Sequence, residues 1–174
     1  MRILIGFDGT EASMDAVNDL RHSGLPSSTE AIVFTVAEAW DHLPDEDTAR
    51  RTMDDGMKAV KELFPSWSVT GQVSKGCPAD EILAFAEKCV PDLVVVGEPV
   101  ITDHDRGFFL GQNTQKLLTD ADCSIRVSRP ASSNFGDPER ILVGFDGSKT
   151  SLNAIETIIT RTWPAGAKVR LIVV

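Results

Sequence analysis

Residues 2–10 read Arg-Ile-Leu-Ile-Gly-Phe-Asp-Gly-Thr, and residues 140–148 repeat the pattern as Arg-Ile-Leu-Val-Gly-Phe-Asp-Gly-Ser. Each copy is an almost continuous apolar run, which indicates a strand buried on both faces, followed by a polar turn that can begin a helix. The second copy starts 138 positions after the first, about one domain length, so the repeat indicates a duplicated domain rather than a solenoid. We predict a complete domain at residues 1–130, a linker at 131–138, and the opening βαβ unit of a second, truncated copy at 139–174.

Apolar strands alternate with amphipathic helices between these two copies and beyond the second. This alternation predicts parallel strands joined by right-handed crossovers, and therefore an α/β fold. The loop after the fourth strand is expected at residues 98–110. Strands are predicted at 2–7, 30–37, 68–74, 93–96, 124–127, 140–145 and 167–174, and helices at 11–23, 47–64, 78–90, 111–119 and 149–163.

The overall composition excludes several classes of partner. The 174 residues carry a net charge of −9 with a pI near 4.7, which disfavours nucleic acid and anionic membranes because their phosphates would be repelled. The apolar runs are too short for a signal peptide or a membrane span, so we expect a cytoplasmic protein. The three cysteines lack metal-site or disulfide-framework spacing, and we expect buried, reduced thiols at Cys77, Cys89 and Cys123.

The carboxyl ends of the strands are where a ligand site is expected. In open α/β sheets, ligands bind beyond these ends, at the point where the strand order reverses. Here those ends offer the Asp8 turn after the first strand, Val36 after the second, and Gly97 with its loop after the fourth. A helix beginning at Gly111 would add backbone donors and a favourable dipole for an anion.

Besides the two copies above, further motifs follow one another along the first 130 residues. They are Gly76-Cys77-Pro78-Ala79 with Glu81-Ile82, Asp92-Leu93-Val94-Val95-Val96-Gly97, Gly111, and Ala121-Asp122-Cys123-Ser124-Ile125. In sequence and spacing these motifs resemble the universal stress protein family. The resemblance implies a three-layer α/β/α fold with a five-stranded parallel sheet in the order 3-2-1-4-5, which is adenine nucleotide alpha hydrolase-like. It also implies either a two-domain chain or a homodimer joined through the last strands.

The resemblance also implies which residues meet a ligand, because many members of the family bind ATP between the first and fourth strands. By this resemblance Asp8 and Val36 meet the base. The phosphate loop of the binding members has the form Gly, two residues, Gly, nine residues, Gly, then Ser or Thr. The implied cofactor-binding positions are Gly6, Phe7, Asp8, Val36, Gly97, Val100, Gly111, Gln112 and Asn113.

The phosphate loop departs from the family pattern in ways that predict a degenerate site. Val100 stands at the second glycine position, where a β-branched residue is a poor substitute. Gln112 stands at the Ser or Thr position and would intrude on the phosphate cradle. The loop also places Glu98, Asp103 and Asp105 against the single Arg106, so its local field opposes a triphosphate.

Metal ions are a weaker hypothesis for the same loop. Bound Mg²⁺ could offset the acidic field if it accompanied a nucleotide. Asp103-His104-Asp105 could ligate a metal, but loops of mixed charge are usually just solvated. We predict no metal site beyond a Mg²⁺ ion that would accompany ATP or another adenine nucleotide.

Three functions remain open at this point. The leading prediction is a universal-stress-type cytoplasmic protein that acts by binding, with a degenerate ATP site between strands 1 and 4. The alternative is a ligand-free regulatory or interaction module that works through dimerisation. A slow ATP-hydrolysing enzyme is a third reading, but no residue can be nominated to orient water, so we predict no catalytic residues and no enzyme. Asp8 itself could serve as a ligand contact or only as a turn residue.

The C-terminal βαβ unit cannot bury both faces of its strands alone. Its last residues, 171–174, would form an unpaired apolar edge, which promotes association. We therefore expect the chain to be a piece of a longer tandem protein with an intramolecular pseudo-dimer. Otherwise the unit must dock on its own first domain or form a homodimer.

Overall fold

The computed structural model describes residues 1–38, 46–98, 110–129 and 139–174. These residues form two compact units. The first unit contains Met1–Asp19 and Ser27–Pro130, and the second contains Leu20–Pro26 and Ala131–Val174. Nearly all of the expected loop at 98–110 and the whole of the linker at 131–138 lie outside the described residues.

The first unit is an α/β domain whose five parallel strands have the order β3-β2-β1-β4-β5, which confirms the predicted fold. Leu4 of the central strand pairs with Ile32 on one side and Val94 on the other. The elements are β1 (Arg2–Gly6), α1 (Glu11–Asp19), β2 (Glu30–Glu38), α2 (Glu46–Leu63), β3 (Ser68–Gly76), α3 (Pro78–Cys89), β4 (Leu93–Gly97), α4 (Gln112–Asp120) and β5 (Ser124–Ser128).

Helices cover both faces of this sheet. Helices α1 and α2 pack on one face, and α3 and α4 pack on the other. Successive side chains of a strand point to opposite faces, and Ile3, Leu4 and Ile5 of β1 are all fully buried. The continuous apolar run in the sequence therefore reflects a strand covered from both sides, as predicted.

Helix α1 is shorter than the sequence predicts. The α-helix ends at Asp19, and a single 3₁₀ turn, Leu20–His22, follows it. The Ser23 amide donates to the Leu20 carbonyl at 3.2 Å, and the Ser23 hydroxyl donates to the same oxygen. Such a side-chain bond competes with the helical pattern and tightens the last turn. The prediction that this helix reaches residue 23 is therefore wrong by about one turn.

The first turn of α1 lies directly against the end of β4. A Cβ atom added to Gly97 would stand 2.0 Å from the Ala12 carbonyl oxygen and 2.7 Å from the Ser13 amide nitrogen. Only a residue without a side chain allows this approach. Gly97 therefore has a packing reason to be glycine that is independent of any phosphate.

The cysteine prediction is wrong at one position. Cys77 is exposed because it precedes Pro78 as the N-cap of α3, outside the buried face of the helix. Cys89 and Cys123 are half-buried and pack against the core between the sheet and α3 and α4. Burial raises the pKa of both of these thiols.

The second unit contains a two-stranded parallel sheet and one helix. Strand β6 (Arg140–Phe145) pairs with β7 (Lys168–Val173), and α5 (Lys149–Thr160) connects them. Within this unit the Arg161 guanidinium donates to the Ser23 carbonyl at 3.0 Å. Helix α5 has no buried residue, and all of β7 is exposed, with Val173 at 73 %. The predicted apolar surface at the end of the chain is present.

The repeated Asp-Gly turn has the same hydrogen bond in both copies. Asp146 Oδ1 accepts from the Ser148 amide at 2.9 Å, as Asp8 Oδ1 accepts from the Thr10 amide at 2.9 Å. Hydrogen bonds from the Ser148 hydroxyl and amide, and from the Ser151 hydroxyl, lower the pKa of Asp146 to about 2. The aspartate of this turn thus has a local structural role wherever the motif occurs.

We expect the Ser148→Ala variant to raise the pKa of Asp146 from about 2 towards its ordinary value of 3.8, because the first of these donors is lost. A lowered folded-state pKa contributes stability that is present above pH 3.8 and is lost as the pH falls through about 2. Titration of the Asp146 carboxyl carbon by NMR measures the change. The Thr150→Ala variant removes a neighbouring hydroxyl and should leave the midpoint in place. An unchanged titration midpoint of Asp146 in Ser148→Ala would contradict the claim that Ser148 lowers the pKa of this carboxyl.

Candidate ligand-binding site

A cleft of about 140 Å³ opens at the carboxyl ends of β1, β2 and β4. The strand order reverses between β1 and β4, and this switch point is where open α/β sheets bind ligands. Six of the nine residues predicted for the site line this cleft. They are Gly6, Phe7, Asp8, Val36, Gly97 and Asn113.

The floor of the cleft is apolar. Phe34, Ile82 and Val96 line it, and each is at least nine-tenths buried. The Phe34 ring stacks on Phe85, with 4.8 Å between ring centroids and 21° between planes. This packing fixes a flat apolar surface, which suits an aromatic ring system of a ligand.

At Gly6, the side chains of Val96 and Ile82 pack close to the backbone of β1. A Cβ atom there would lie 3.2 Å from Val96 Cγ1 and 3.3 Å from Ile82 Cδ1. Both distances are tighter than ordinary van der Waals contact, so a side chain would press on the floor. A larger residue at this position would therefore require Val96 and Ile82 to shift by a few tenths of an ångström.

Asp8 lies at the rim of the cleft and is exposed. Its Oδ1 accepts from the Thr10 amide at 2.9 Å and from the Thr10 hydroxyl at 2.6 Å. Oδ2 takes no part in these two bonds. The turn role of Asp8 is therefore observed, and its role as a ligand contact stays a prediction.

The polar end of the cleft is formed by the start of α4. Asn113 and Thr114 line it. Gly111 is the N-cap of this helix, and its amide donates to Glu98 Oε1. The Thr114 hydroxyl donates to Glu98 Oε2. Two donors at this helix start, one backbone amide and one hydroxyl, are thus bound to a side chain of the protein.

Among the described residues, the predicted positions Gly111 and Gln112 do not line the cleft. Gly111 lies beside it as the helix cap, and Val100 lies outside the described residues. Gln112 is exposed, and its intrusion on a phosphate cradle stays a prediction. Glu98 binds two donors of this helix end, the Gly111 amide and the Thr114 hydroxyl.

Sequence reasoning missed seven lining residues, which come mostly from helices. Phe34 could have been found, since it lies two positions before Val36 on the same face of β2. Thr114 follows Gly111 by one helical turn, which also places it near the cap. The missed residues are Ser13, Phe34, Pro78, Ile82, Val96, Thr114 and Leu117.

Metal binding receives no support from the described part of the chain. In residues 1–38, 46–98, 110–129 and 139–174, no group of three or more His, Cys, Asp or Glu side chains could hold a metal ion. The hypothetical ligands at 103–105 lie outside these ranges. Within the same ranges, no helix is long and apolar enough to cross a membrane.

The sheet order and the cleft define the class as an open parallel α/β protein with a cleft at its switch point. A model of the universal stress protein family matches residues 1–129, and the chain belongs to this family. It is 26% identical over 137 residues to a universal stress protein of Methanocaldococcus jannaschii, covering 72% of this chain and 80% of that relative.

Solved structures share the fold. A universal stress protein from Archaeoglobus fulgidus has a TM-score of 0.70 at 16% identity, and the match covers 99% of this chain and 66% of that one. A family member from Arabidopsis thaliana, solved with AMP bound, has a TM-score of 0.51 at 13% identity. That match covers 76% of this chain and 93% of the other.

Proposed function

We propose that this protein acts by binding an adenine-type ligand in the cleft between β1 and β4, and that it is not an enzyme. The observation that carries the proposal is the cleft itself, with an apolar floor and a polar rim at the switch point of the sheet. The phosphate end of this site is degenerate, because the start of α4 is already bound to Glu98.

Apolar and polar residues of the cleft bind different parts of the ligand in this proposal. The adenine ring lies on the floor formed by Phe34, Ile82 and Val96, where burial of apolar surface stabilises it. Asp8 Oδ2 accepts from an amino or hydroxyl group of the ligand at the rim, and Val36 packs against the ring edge.

Two further findings support the proposal. The chain belongs to the universal stress protein family, and a structure of similar fold, from Arabidopsis thaliana, was solved with AMP bound. An adenine ligand in that protein makes adenine derivatives the first compounds to test here. A cytoplasmic location, as expected from the sequence, belongs to the same proposal.

We expect the Asp8→Asn variant to bind adenosine about tenfold more weakly than the wild type, as the loss of a charge-assisted hydrogen bond predicts. Asparagine keeps the acceptor that bonds Thr10, so the turn is retained. Isothermal titration calorimetry measures the affinity. Asp55→Asn, an exposed change on α2, is the matched control and should bind as the wild type does. Equal affinity of Asp8→Asn and wild type would remove Asp8 from the site.

A second candidate function is association through the C-terminal unit, as half of a homodimer or of a tandem pseudo-dimer. The observation in its favour is the exposed apolar surface of β6 and β7, including Leu142, Leu171 and Val173. Unpaired apolar strands of this kind promote pairing with another chain.

Light scattering after size exclusion tests this association. We expect the wild-type chain to have twice its 18.9 kDa mass, and the Leu171→Asp variant to be monomeric because a buried charge opposes association. Arg170→Ala, a change at the preceding position of the same strand, should leave the dimer intact. A monomeric wild type at high concentration would exclude the homodimer.

A further inference from the structure

Glu98 is a buried residue directly after the carboxyl end of β4. It follows Gly97 directly, and its amide donates to the Ser128 carbonyl at 2.8 Å, which fixes its backbone beside β5. The residue is 2 % exposed. Glutamate is almost never this buried unless its carboxylate is paired, so its partners indicate its role.

Both oxygens of this carboxylate are bound by the start of α4. Oε1 accepts from the Gly111 amide and Oε2 accepts from the Thr114 hydroxyl. Gly111 offers no capping side chain, and the first turn of α4 contains no acidic residue. Glu98 therefore supplies, from a different segment, the negative charge and the acceptors that a helix N-terminus favours.

One of these two donors, the Thr114 hydroxyl, belongs to a residue at the polar end of the cleft. Thr114 lines the cleft together with Asn113 and Gly97. A ligand phosphate at this end would compete with Glu98 for the Thr114 hydroxyl, and the negative charge of Glu98 lies one hydrogen bond away from that hydroxyl. Competition for this donor and like-charge repulsion both oppose such a ligand.

We propose that Glu98 takes the place of a ligand phosphate, and that the cleft consequently selects neutral adenine nucleosides over adenine nucleotides. This inference rests on the proposed function, since it names the ligand class of the same cleft. A nucleoside uses the apolar floor and Asp8 without approaching Glu98. Removal of the Glu98 carboxylate turns the start of α4 into a free anion site.

Inorganic phosphate tests the role of Glu98 without any adenine ligand. In ¹H–¹⁵N NMR spectra of the Glu98→Ala variant, the Gly111 amide should shift with an apparent Kd at least about tenfold lower than in the wild type. Glu62→Ala removes an exposed charge on α2 and should behave as the wild type. Equal responses of wild type and Glu98→Ala would overturn the proposal.

The Glu98→Gln variant provides a second measurement if the alanine variant does not fold. Glutamine keeps the shape and an acceptor for the Gly111 amide but removes the charge. We expect its phosphate response to exceed that of Glu62→Ala, because like-charge repulsion is gone. A response no greater than that of this control would contradict the electrostatic part of the proposal, provided that thermal unfolding shows a folded protein.

Calorimetry with adenosine and AMP tests the ligand class. The wild type should bind adenosine about tenfold more tightly than AMP, and Glu98→Ala should reduce this preference at least about threefold by gaining affinity for AMP. A wild type that prefers AMP would overturn the inference. If no variant binds adenosine, the proposed function fails, while the phosphate response at Gly111 still decides whether Glu98 occupies the anion position.

Discussion

Replacement of Gly97 by alanine is expected to lower the free energy of unfolding of the first unit by about 3 kcal/mol, the upper part of the range for overpacked sites. The added Cβ would lie 2.0 Å from the Ala12 carbonyl oxygen. The nearest atoms belong to the backbone of α1, which cannot rotate away as a side chain can. The helix must therefore move off the end of β4, with loss of packing along its length.

Denaturant unfolding followed by circular dichroism measures this loss. Gly144→Ala is a suitable control, because a Cβ at Gly144 meets no atom of the described residues within 4 Å. Gly144 lies in the second unit, so we expect that variant to change the free energy of unfolding of the first unit by less than about 0.5 kcal/mol. If Gly97→Ala were no more destabilising than Gly144→Ala, the close approach of α1 to β4 would be wrong.

The Phe34→Ala variant is expected to lower the free energy of unfolding by about 3–5 kcal/mol, as for other fully buried phenylalanines. Phe34 is 2 % exposed and lies in the core cluster with Leu4 and Ile82. Its removal leaves a cavity directly beneath the cleft, so adenosine binding should weaken as well.

Comparison with Phe85→Ala separates the contribution of side-chain burial to the free energy of unfolding from that of ring stacking. Phe85 is the stacking partner of Phe34 but is only half-buried. Both variants lose the aromatic pair, which is worth about 0.5–1.5 kcal/mol, while Phe34→Ala also loses a full core side chain. A Phe34→Ala effect no larger than that of Phe85→Ala would contradict the placement of Phe34 in the core.

The fold was largely predictable because its signals are local. The strand at residues 2–6 and the Asp-Gly turn after it can be recognised without knowledge of tertiary contacts. A strand that is buried on both faces has a nearly continuous apolar sequence. The strand order came from the resemblance of motifs to a known family. The end of α1 was not predictable, because the apolar spacing of the sequence remains compatible with a helix beyond Asp19. The hydrogen bonds of Ser23 that tighten the last turn compete with the helical hydrogen bonds.

The candidate site was predictable where strands contribute to it. Asp8, Val36 and Gly97 lie at or just beyond the carboxyl ends of three strands, and parallel strands bring these ends to one edge of the sheet. Pro78, Ile82 and the other missed helical residues depend on how each helix rotates against the sheet, which is set by packing. Sequence spacing alone does not fix that rotation.

The number of acidic residues in a loop does not predict the hydrogen-bond partners of Glu98. In the sequence it is one of several acidic residues whose field opposes a phosphate. In the structure its carboxylate bonds to Gly111, 13 positions away, and to Thr114, 16 positions away. The loop connecting them is not periodic, so no pattern predicts the pairing. Gln112, which the motif comparison singles out, is exposed instead.

Adenosine titration of the wild-type chain, followed by ¹H–¹⁵N NMR spectra, tests the central claim most directly because it locates the ligand residue by residue. We predict that the amides of Gly6, Asp8, Val36 and Asn113, which line the cleft, shift together with one apparent Kd, while the amides of β7 do not move. Shifts confined to other parts of the chain, or none at millimolar adenosine in a folded protein, would contradict the assignment of this cleft as the binding site.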